Sequence, residues 1–152
     1  MRLLTLATVL VFAALAPAGA DDKDKKDGPK EAAKKLEGTY EVLEVLVDGK
    51  PDKKKDEVTA FEIKGDELVV KTPDRDESAT FTLDPSKKPA HIDITPKKGG
   101  PKTVPGIYEV KETDKGLELT IAFGRDEAGR PKDFKGEGKD EVVIKLFRKK
   151  AK

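Results

Sequence analysis

The sequence predicts an all-β domain that forms an eight-stranded antiparallel up-and-down barrel, preceded by a short helix. Three observations support this fold. From residue 38 onward, apolar side chains alternate with polar ones, which is the period typical of half-buried strands. Turn signals rich in Gly, Pro and Asp separate the alternating runs. Most connections are too short for a crossover helix, so neighbouring strands are expected to be antiparallel, and closure into a barrel removes exposed strand edges.

The N-terminal residues have the pattern of an export signal. Arg2 supplies a positive charge, residues 3–15 form an uncharged apolar run, and Ala18-Gly19-Ala20 offers the small residues that a signal peptidase recognises. The run is shorter than the ~20 apolar residues that a membrane-spanning helix needs. We therefore predict a signal peptide over residues 1–20, cleavage near Ala20, export to the periplasm or the extracellular space, and no membrane span.

The segment after the signal peptide, residues 21–35, is predicted to be a charged disordered leader, because it has too little apolar surface to bury. Its last part carries helix signals, since Pro29 suits a first helical turn and Gly38 lies just past the end of the segment. About two turns of helix from Pro29 would bring Leu36 onto the domain as a buried side chain. The barrel domain is predicted to span residues 36–149.

Eight runs of alternating apolar side chains make up the predicted barrel. They cover residues 40–47, 61–63, 68–70, 79–83, 92–94, 108–110, 117–123 and 142–146. Gly65-Asp66 predicts a tight hairpin turn between the second and third strands. Asp84-Pro85-Ser86-Lys87 places proline where a type I turn accepts it, so the fourth strand is expected to end there.

The first run contains one break in its alternation. Glu41 and Glu44 are three residues apart, so an unbroken strand would place one of the two carboxylates inside the barrel. A β-bulge near Leu43 would return both carboxylates to the outer face. We therefore predict a bulge in this strand.

Composition excludes several classes of function. The 31 basic and 30 acidic residues give a net charge of +1, which argues against nucleic-acid binding driven by bulk charge. Cysteine is absent, so disulfides, thiolate metal sites and cysteine nucleophiles are excluded. The single histidine supplies too few ligands for a closed zinc site. We expect no nucleic-acid partner, no metal and no cofactor.

His91 and Asp93 are the strongest candidates for catalysis, because they share one face of a strand and could orient an imidazole for acid–base chemistry. A hydrolase or isomerase that uses this pair is the enzymatic alternative. Ile92 and Ile94 occupy the other face, which favours a solvent-facing pair, with Asp93 capping a neighbouring turn. We therefore predict that the protein is not an enzyme.

The loop Arg130-Pro131-Lys132-Asp133-Phe134 has an unusual composition for a polar segment. Phe134 either folds back as an apolar plug over one mouth of the barrel or marks an exposed contact surface. Packing is favoured, because isolated phenylalanine side chains are usually buried.

Several short motifs occur in a fixed order along the barrel domain. They are Leu36-Glu37-Gly38-Thr39-Tyr40, Val47-Asp48-Gly49-Lys50-Pro51, Leu83-Asp84-Pro85-Ser86-Lys87-Lys88-Pro89, Ile92-Asp93, Gly106-Ile107-Tyr108-Glu109 and Arg130-Pro131-Lys132-Asp133-Phe134. As an ordered set they resemble a family of exported planctomycete domains that is regarded as lipocalin-like and has no assigned function. The resemblance covers nearly all of residues 36–149 and implies a lipocalin-like barrel.

Within this resemblance, Gly38-Thr39-Tyr40 is similar to the Gly-x-Trp start of lipocalins, with tyrosine in the place of tryptophan. Lipocalins stack an arginine on that aromatic ring at the barrel floor, and Arg148 continues the inward phase of the last strand. The resemblance thus implies a stacked pair of Tyr40 and Arg148 that is structural rather than catalytic. The alternative is that Arg148 is a solvated charge near the end of the chain.

An eight-stranded barrel either fills itself with side chains or holds one small ligand. Phe61, Phe81, Tyr108 and Phe123 are the candidate ligand-lining residues. The sequence therefore favours an exported, non-enzymatic, monomeric lipocalin-like domain that binds a small apolar ligand or a protein partner. The other non-enzymatic possibility is an envelope structural or interaction protein with a filled barrel.

Overall fold

A computed structural model describes residues 28–99, 102–125 and 128–151 of the chain. Helix α1 (Pro29–Leu36) comes first, and a short 3-10 helix (Lys53–Glu57) follows the second strand. The strands are β1 (Gly38–Val47), β2 (Lys50–Pro51), β3 (Ala60–Lys64), β4 (Glu67–Lys71), β5 (Asp76–Asp84), β6 (Ala90–Pro96), β7 (Val104–Thr113), β8 (Gly116–Gly124) and β9 (Glu141–Lys149).

The strands form one closed antiparallel barrel. Strands β3 to β9 pair in chain order, and β1 completes the ring by pairing with β3 on one side and β9 on the other. Strand β2 is an additional short strand on the end of β1. The predicted eight-stranded antiparallel up-and-down barrel is confirmed. Alternation did not indicate β2 or the 3-10 helix, because both are too short to show a period.

Strand β1 contains the predicted bulge. Its pairing register with β9 shifts between Val42 and Glu44, so one extra residue is accommodated near Leu43. As a result, Glu41 and Glu44 both lie on the outer face, where they form ion pairs of 2.8 and 2.6 Å with Lys149 and Lys145. The prediction of a bulge is confirmed, and its physical reason is that it keeps both carboxylates out of the apolar interior.

The main hydrophobic core fills the barrel from the end that α1 covers. Leu36 of α1 and Tyr40 of β1 are each only 1% exposed, and they close this end together with Ala32. We call it the closed end. It also holds the β3–β4 and β7–β8 turns. The opposite end, which we call the open end, holds the last residues of β4, β6 and β8 and the first residues of β5, β7 and β9.

A second, smaller apolar cluster lies outside the barrel. It consists of Ile107, Ala122 and Val143, with Leu46 and Phe134 packed against them. Because the inward residues of the same strands belong to the main core, these side chains occupy the outer wall. The loop between β8 and β9 therefore folds back over the wall, and Phe134 packs there rather than over a mouth of the barrel.

The N-terminal helix is present as predicted, beginning at Pro29 and ending at Leu36. It includes residues 29–35 of the predicted disordered leader, so that part of the leader is helical. Burial of two apolar side chains, Ala32 and Leu36, explains the difference. The predicted signal peptide, residues 1–20, and leader residues 21–27 lie outside the described residues. Of the helices in the described ranges, none has the length and apolar character needed to cross a membrane.

Candidate functional site

The open end of the barrel contains an apolar cavity of about 260 Å³. Its lining comes from β3 to β9. The lining residues are Phe61, Leu68, Val70, Glu77, Ser78, Ala79, Ile94, Pro96, Val104, Ile121, Phe123 and Ile144. Glu77 and Ser78 are the polar residues of this set, and of the two only Glu77 is in phase with the inward residues of β5. The cavity is thus an apolar space that a small ligand could enter from one end.

The cavity lies where β5 contributes a small inward side chain near the open end. Along the inward face of β5, Phe81 and Leu83 fill the barrel toward the closed end, whereas Ala79 is the inward residue nearer the open end. Ala79 pairs with Leu68 on one side and with Pro96 on the other. All three residues line the cavity, so the space lies beside the alanine methyl group.

The structure separates the four candidate ligand-lining residues into two pairs. Phe61 and Phe123 line the cavity. Phe81 lies deeper in the core and is 4% exposed, and it does not contribute to the cavity lining. Tyr108 lines a different depression, which lies beside α1. Of the four candidate ligand-lining residues, Phe61 and Phe123 thus line the cavity, whereas Phe81 and Tyr108 lie nearer to the closed end.

A polar depression of about 320 Å³ adjoins the mouth of the cavity. We call it the vestibule. It is lined by Arg75, Asp76, Glu77, Ser78, Pro96, Lys98 and Gly99. Arg75 forms an ion pair of 2.6 Å with Glu77, and both side chains are largely exposed. These charged residues were not predicted from the sequence. Glu77 continues the inward phase of Ala79 and Phe81, and this phase could have placed it at the rim of the barrel.

The closed end brings Tyr40 and Arg148 together. The guanidinium carbon of Arg148 lies 5.5 Å from the centroid of the Tyr40 ring, which is within cation–π range. The Tyr40 hydroxyl donates a 2.7 Å hydrogen bond to the carbonyl oxygen of Leu36. Arg148 also donates to the carbonyl oxygens of Lys35, at 3.1 Å, and Glu37. The pair therefore holds the end of α1 against the barrel floor.

Electrostatics at the closed end follow from this geometry. Burial raises the pKa of the Tyr40 hydroxyl, and the nearby positive charge of Arg148 offsets part of the rise. Gly38 makes room for the arginine: a Cβ there would lie 2.5 Å from the Arg148 Cδ, and the backbone adopts a φ of 141°. Glycine before Tyr40 is thus required by the stacked arrangement as well as by the backbone conformation.

A depression of about 760 Å³ lies between α1, the β5–β6 turn and β7. Its apolar lining includes Leu36, Ala90, Tyr108 and Val110, with Lys35, Lys87, Lys88, Glu109 and Glu112 among the charged residues around it. Val110 is 37% exposed. This groove is open and of mixed charge, in contrast to the apolar cavity at the other end.

His91 and Asp93 lie on the outer wall. Asp93 accepts a 2.7 Å charge-assisted hydrogen bond from Arg130. Arg130 also donates to the carbonyl oxygens of Ile92 and Gly106, at 3.4 and 2.5 Å. Asp93 thus anchors the β8–β9 loop. Within the described ranges, no group of three His, Cys, Asp or Glu side chains is arranged to hold a metal ion.

The chain was compared with protein-family models, with curated proteins and with solved structures, and no match was found in any of the three. The geometry of the barrel and its side chains is therefore the basis for the functional argument. Within that geometry, the apolar cavity at the open end is the candidate binding site.

Proposed function

We propose that the protein is an exported, non-enzymatic carrier of a small apolar ligand, and that the cavity at the open end of the barrel is its binding site. The observation that carries this proposal is the cavity itself. Ten of its twelve lining residues are apolar, and it opens at one end of an otherwise packed barrel. Concave, mainly apolar spaces with a few polar groups are the usual form of small-molecule sites.

The physical basis of binding is the removal of apolar surface from water. Each Å² of apolar ligand surface buried in the cavity contributes about 25 cal/mol to binding. The cavity volume of 260 Å³ lies just below the range of ~300–1,000 Å³ that is typical of sites for drug-sized ligands. The expected ligand is accordingly smaller than a typical drug, with one short hydrocarbon part.

A calorimetric titration with octanol tests this proposal. We expect saturable binding with a negative heat-capacity change, which is the marker of apolar burial. Val104→Phe should abolish or strongly weaken binding, because Val104 lines the mouth of the cavity and the larger ring occupies its space. Backbone chemical-shift changes on octanol addition should concentrate at Ile94, Ile121 and Ile144.

Val110→Phe is the matched control. It makes the same substitution on the same strand, but Val110 lines the groove beside α1 instead of the cavity. The control should bind octanol as the native protein does. Binding that survives Val104→Phe, or that is lost equally in both variants, would contradict the cavity proposal. No detectable octanol binding to the native protein would favour an envelope protein with a functionally filled barrel.

Export and the absence of catalysis belong to the same proposal. The mass of the protein recovered from its own host should correspond to a chain that begins at Asp21, after loss of residues 1–20. Native mass spectrometry of that material should show a monomer with a retained lipophilic molecule. In an activity screen, a turnover that His91→Ala abolishes without unfolding the protein would support the hydrolase or isomerase alternative instead.

A further inference from the structure

The residues of the vestibule indicate the chemistry of the part of the ligand that stays outside the cavity. We propose that the ligand is an amphiphile whose apolar tail occupies the cavity and whose head, in the vestibule, is uncharged and hydrogen-bonding, such as a hydroxyl or an amide. This inference rests on the proposed carrier function and names the chemical class of its ligand.

The cavity and the vestibule are adjacent. Glu77, Ser78 and Pro96 line both spaces, so the part of a ligand that extends from the cavity on this side lies in the vestibule. The lining changes from almost wholly apolar to mainly polar across these residues. A fully apolar ligand would leave the polar groups of the vestibule without a partner, whereas an amphiphile contacts both the apolar cavity and the polar vestibule.

The charges of the vestibule are balanced. It contains two cationic side chains, Arg75 and Lys98, and two carboxylates, Asp76 and Glu77. Arg75 and Glu77 are already joined at 2.6 Å at the shared rim. An anionic head would compete with Glu77 for Arg75, and a cationic head would compete with Arg75 for Glu77. Either ion therefore displaces an existing interaction or lies beside a like charge, which an uncharged head avoids.

Glu77 supplies the complementary polar group. It continues the inward phase of Ala79 and Phe81 on β5, whereas the side chain of Ser78, the residue between Glu77 and Ala79, lies on the outer face. The carboxylate oxygens of Glu77 accept hydrogen bonds, and a ligand hydroxyl or amide donates one. Glu77 thus lies at the junction of tail and head with an acceptor for an uncharged donor.

The test compares three probes with the same tail: octanol, octanoate and octylammonium, titrated by calorimetry at pH 7. The native protein should bind octanol at least about three-fold more tightly than either ion, a modest factor because the rim charges are exposed. Glu77→Gln leaves Arg75 without its carboxylate, so it should raise octanoate affinity relative to octanol by about three-fold. Arg75→Gln should do the same for octylammonium.

Glu67→Gln is the matched control, because it breaks an exposed ion pair with Lys97 that lies outside the lining of both spaces. It should leave all three affinity ratios unchanged. If native protein binds either ion as tightly as octanol, or if Glu77→Gln and Arg75→Gln leave the ratios unchanged, the head-group inference is wrong while the carrier function stands. If no probe binds, the carrier function fails and this inference fails with it.

Discussion

The two ends of the barrel are built from the same alternating strands but have opposite interiors. At the closed end, α1 covers the opening, and Leu36 and Tyr40 are almost completely buried. At the open end, Ala79 replaces a large inward residue, and a cavity of about 260 Å³ remains. At the closed end, Arg148 donates a hydrogen bond that holds the end of α1 against the barrel. At the open end, the exposed Arg75–Glu77 ion pair lies at the rim.

The difference shows that the residues that stabilise the fold and the residues that line the candidate binding site lie at opposite ends of one barrel. Large side chains and hydrogen bonds to the helix carbonyl oxygens concentrate at the closed end, where no ligand space is needed. Small and branched side chains at the open end leave fewer packing contacts, and that loss is what makes room for a ligand. We therefore expect substitutions at the two ends to affect different measurements.

The largest expected effect is the loss of stability on truncating a buried leucine at the closed end. Leu36→Ala should lower the free energy of unfolding by about 2–5 kcal/mol, because the side chain is almost completely buried. Urea denaturation measures the change. Octanol affinity should stay the same, since Leu36 is remote from the cavity lining.

Leu68→Ala is the matched substitution at the open end. Leu68 lines the cavity, so its truncation removes fewer packed neighbours and should cost less than Leu36→Ala, near the lower end of the ~2–5 kcal/mol range. It also enlarges the cavity, so the variant should accept a longer alkyl chain than the native protein does. Equal stability losses at Leu36 and Leu68, with unchanged ligand preference, would remove the distinction between the two ends.

A smaller effect is expected from the arginine at the closed end. Arg148→Met keeps much of the side-chain volume but removes the interaction with the Tyr40 ring and the hydrogen bonds to Lys35 and Glu37. We expect a loss of roughly 2 kcal/mol in urea denaturation. It should also raise the pKa of Tyr40 further, which an absorbance titration of the phenol in a Tyr108→Phe background measures.

Lys149→Met is the control for this substitution. Lys149 is the next residue, and its ion pair with Glu41 is well exposed. The control should change stability by less than about 1 kcal/mol and leave the Tyr40 titration unchanged. If both variants lose the same stability, Arg148 acts only as a surface charge and the closed end is not fastened by it.

The smallest expected effect is a dependence of stability on alkaline pH. Because the pKa of Tyr40 is raised in the folded protein, the folded state binds the phenolic proton more tightly than the unfolded chain does. This contribution is fully present below the unfolded pKa of about 10 and is lost as the pH rises through the folded pKa. The free energies of unfolding of the native protein and of Tyr40→Phe, measured as a function of pH, should therefore approach each other in strongly alkaline solution.

The alkaline comparison has its own internal check. The native curve should fall more steeply than the Tyr40→Phe curve only above about pH 10, where the unfolded chain begins to release the phenolic proton. Parallel curves throughout would show that the Tyr40 environment is the same in the folded and unfolded states.

Much of the fold could be predicted from the sequence, because the period of alternation, and thus the face of the sheet on which each side chain lies, depends on neighbouring residues in the chain. The two carboxylates Glu41 and Glu44 revealed the bulge in β1, since only an extra residue lets both reach solvent. Pro29 and Gly38 marked the limits of the helix. Strand β2 was missed because two residues carry no period.

The candidate site was harder to predict, because alternation assigns a side chain to the inner face but not to a depth along the barrel axis. Phe81 and Phe123 both belong to inward runs, yet only Phe123 reaches the cavity. Depth depends on strand stagger, which long-range pairing determines. Similarly, Phe134 lies in a polar loop that has no period, so the sequence alone did not show that it packs against the outer-wall cluster.

The hydrogen-bonded pairing of β1 with β9 means that the earliest and the latest strands of the domain are neighbours. During synthesis, the ring therefore cannot be completed until the last strand leaves the ribosome, and β1 and β8 each keep a free edge until then. Proteolytic cleavage or premature termination before β9 would leave an open sheet with two unpaired strand edges instead of a slightly smaller barrel. For a cell, such fragments are candidates for aggregation and proteolysis.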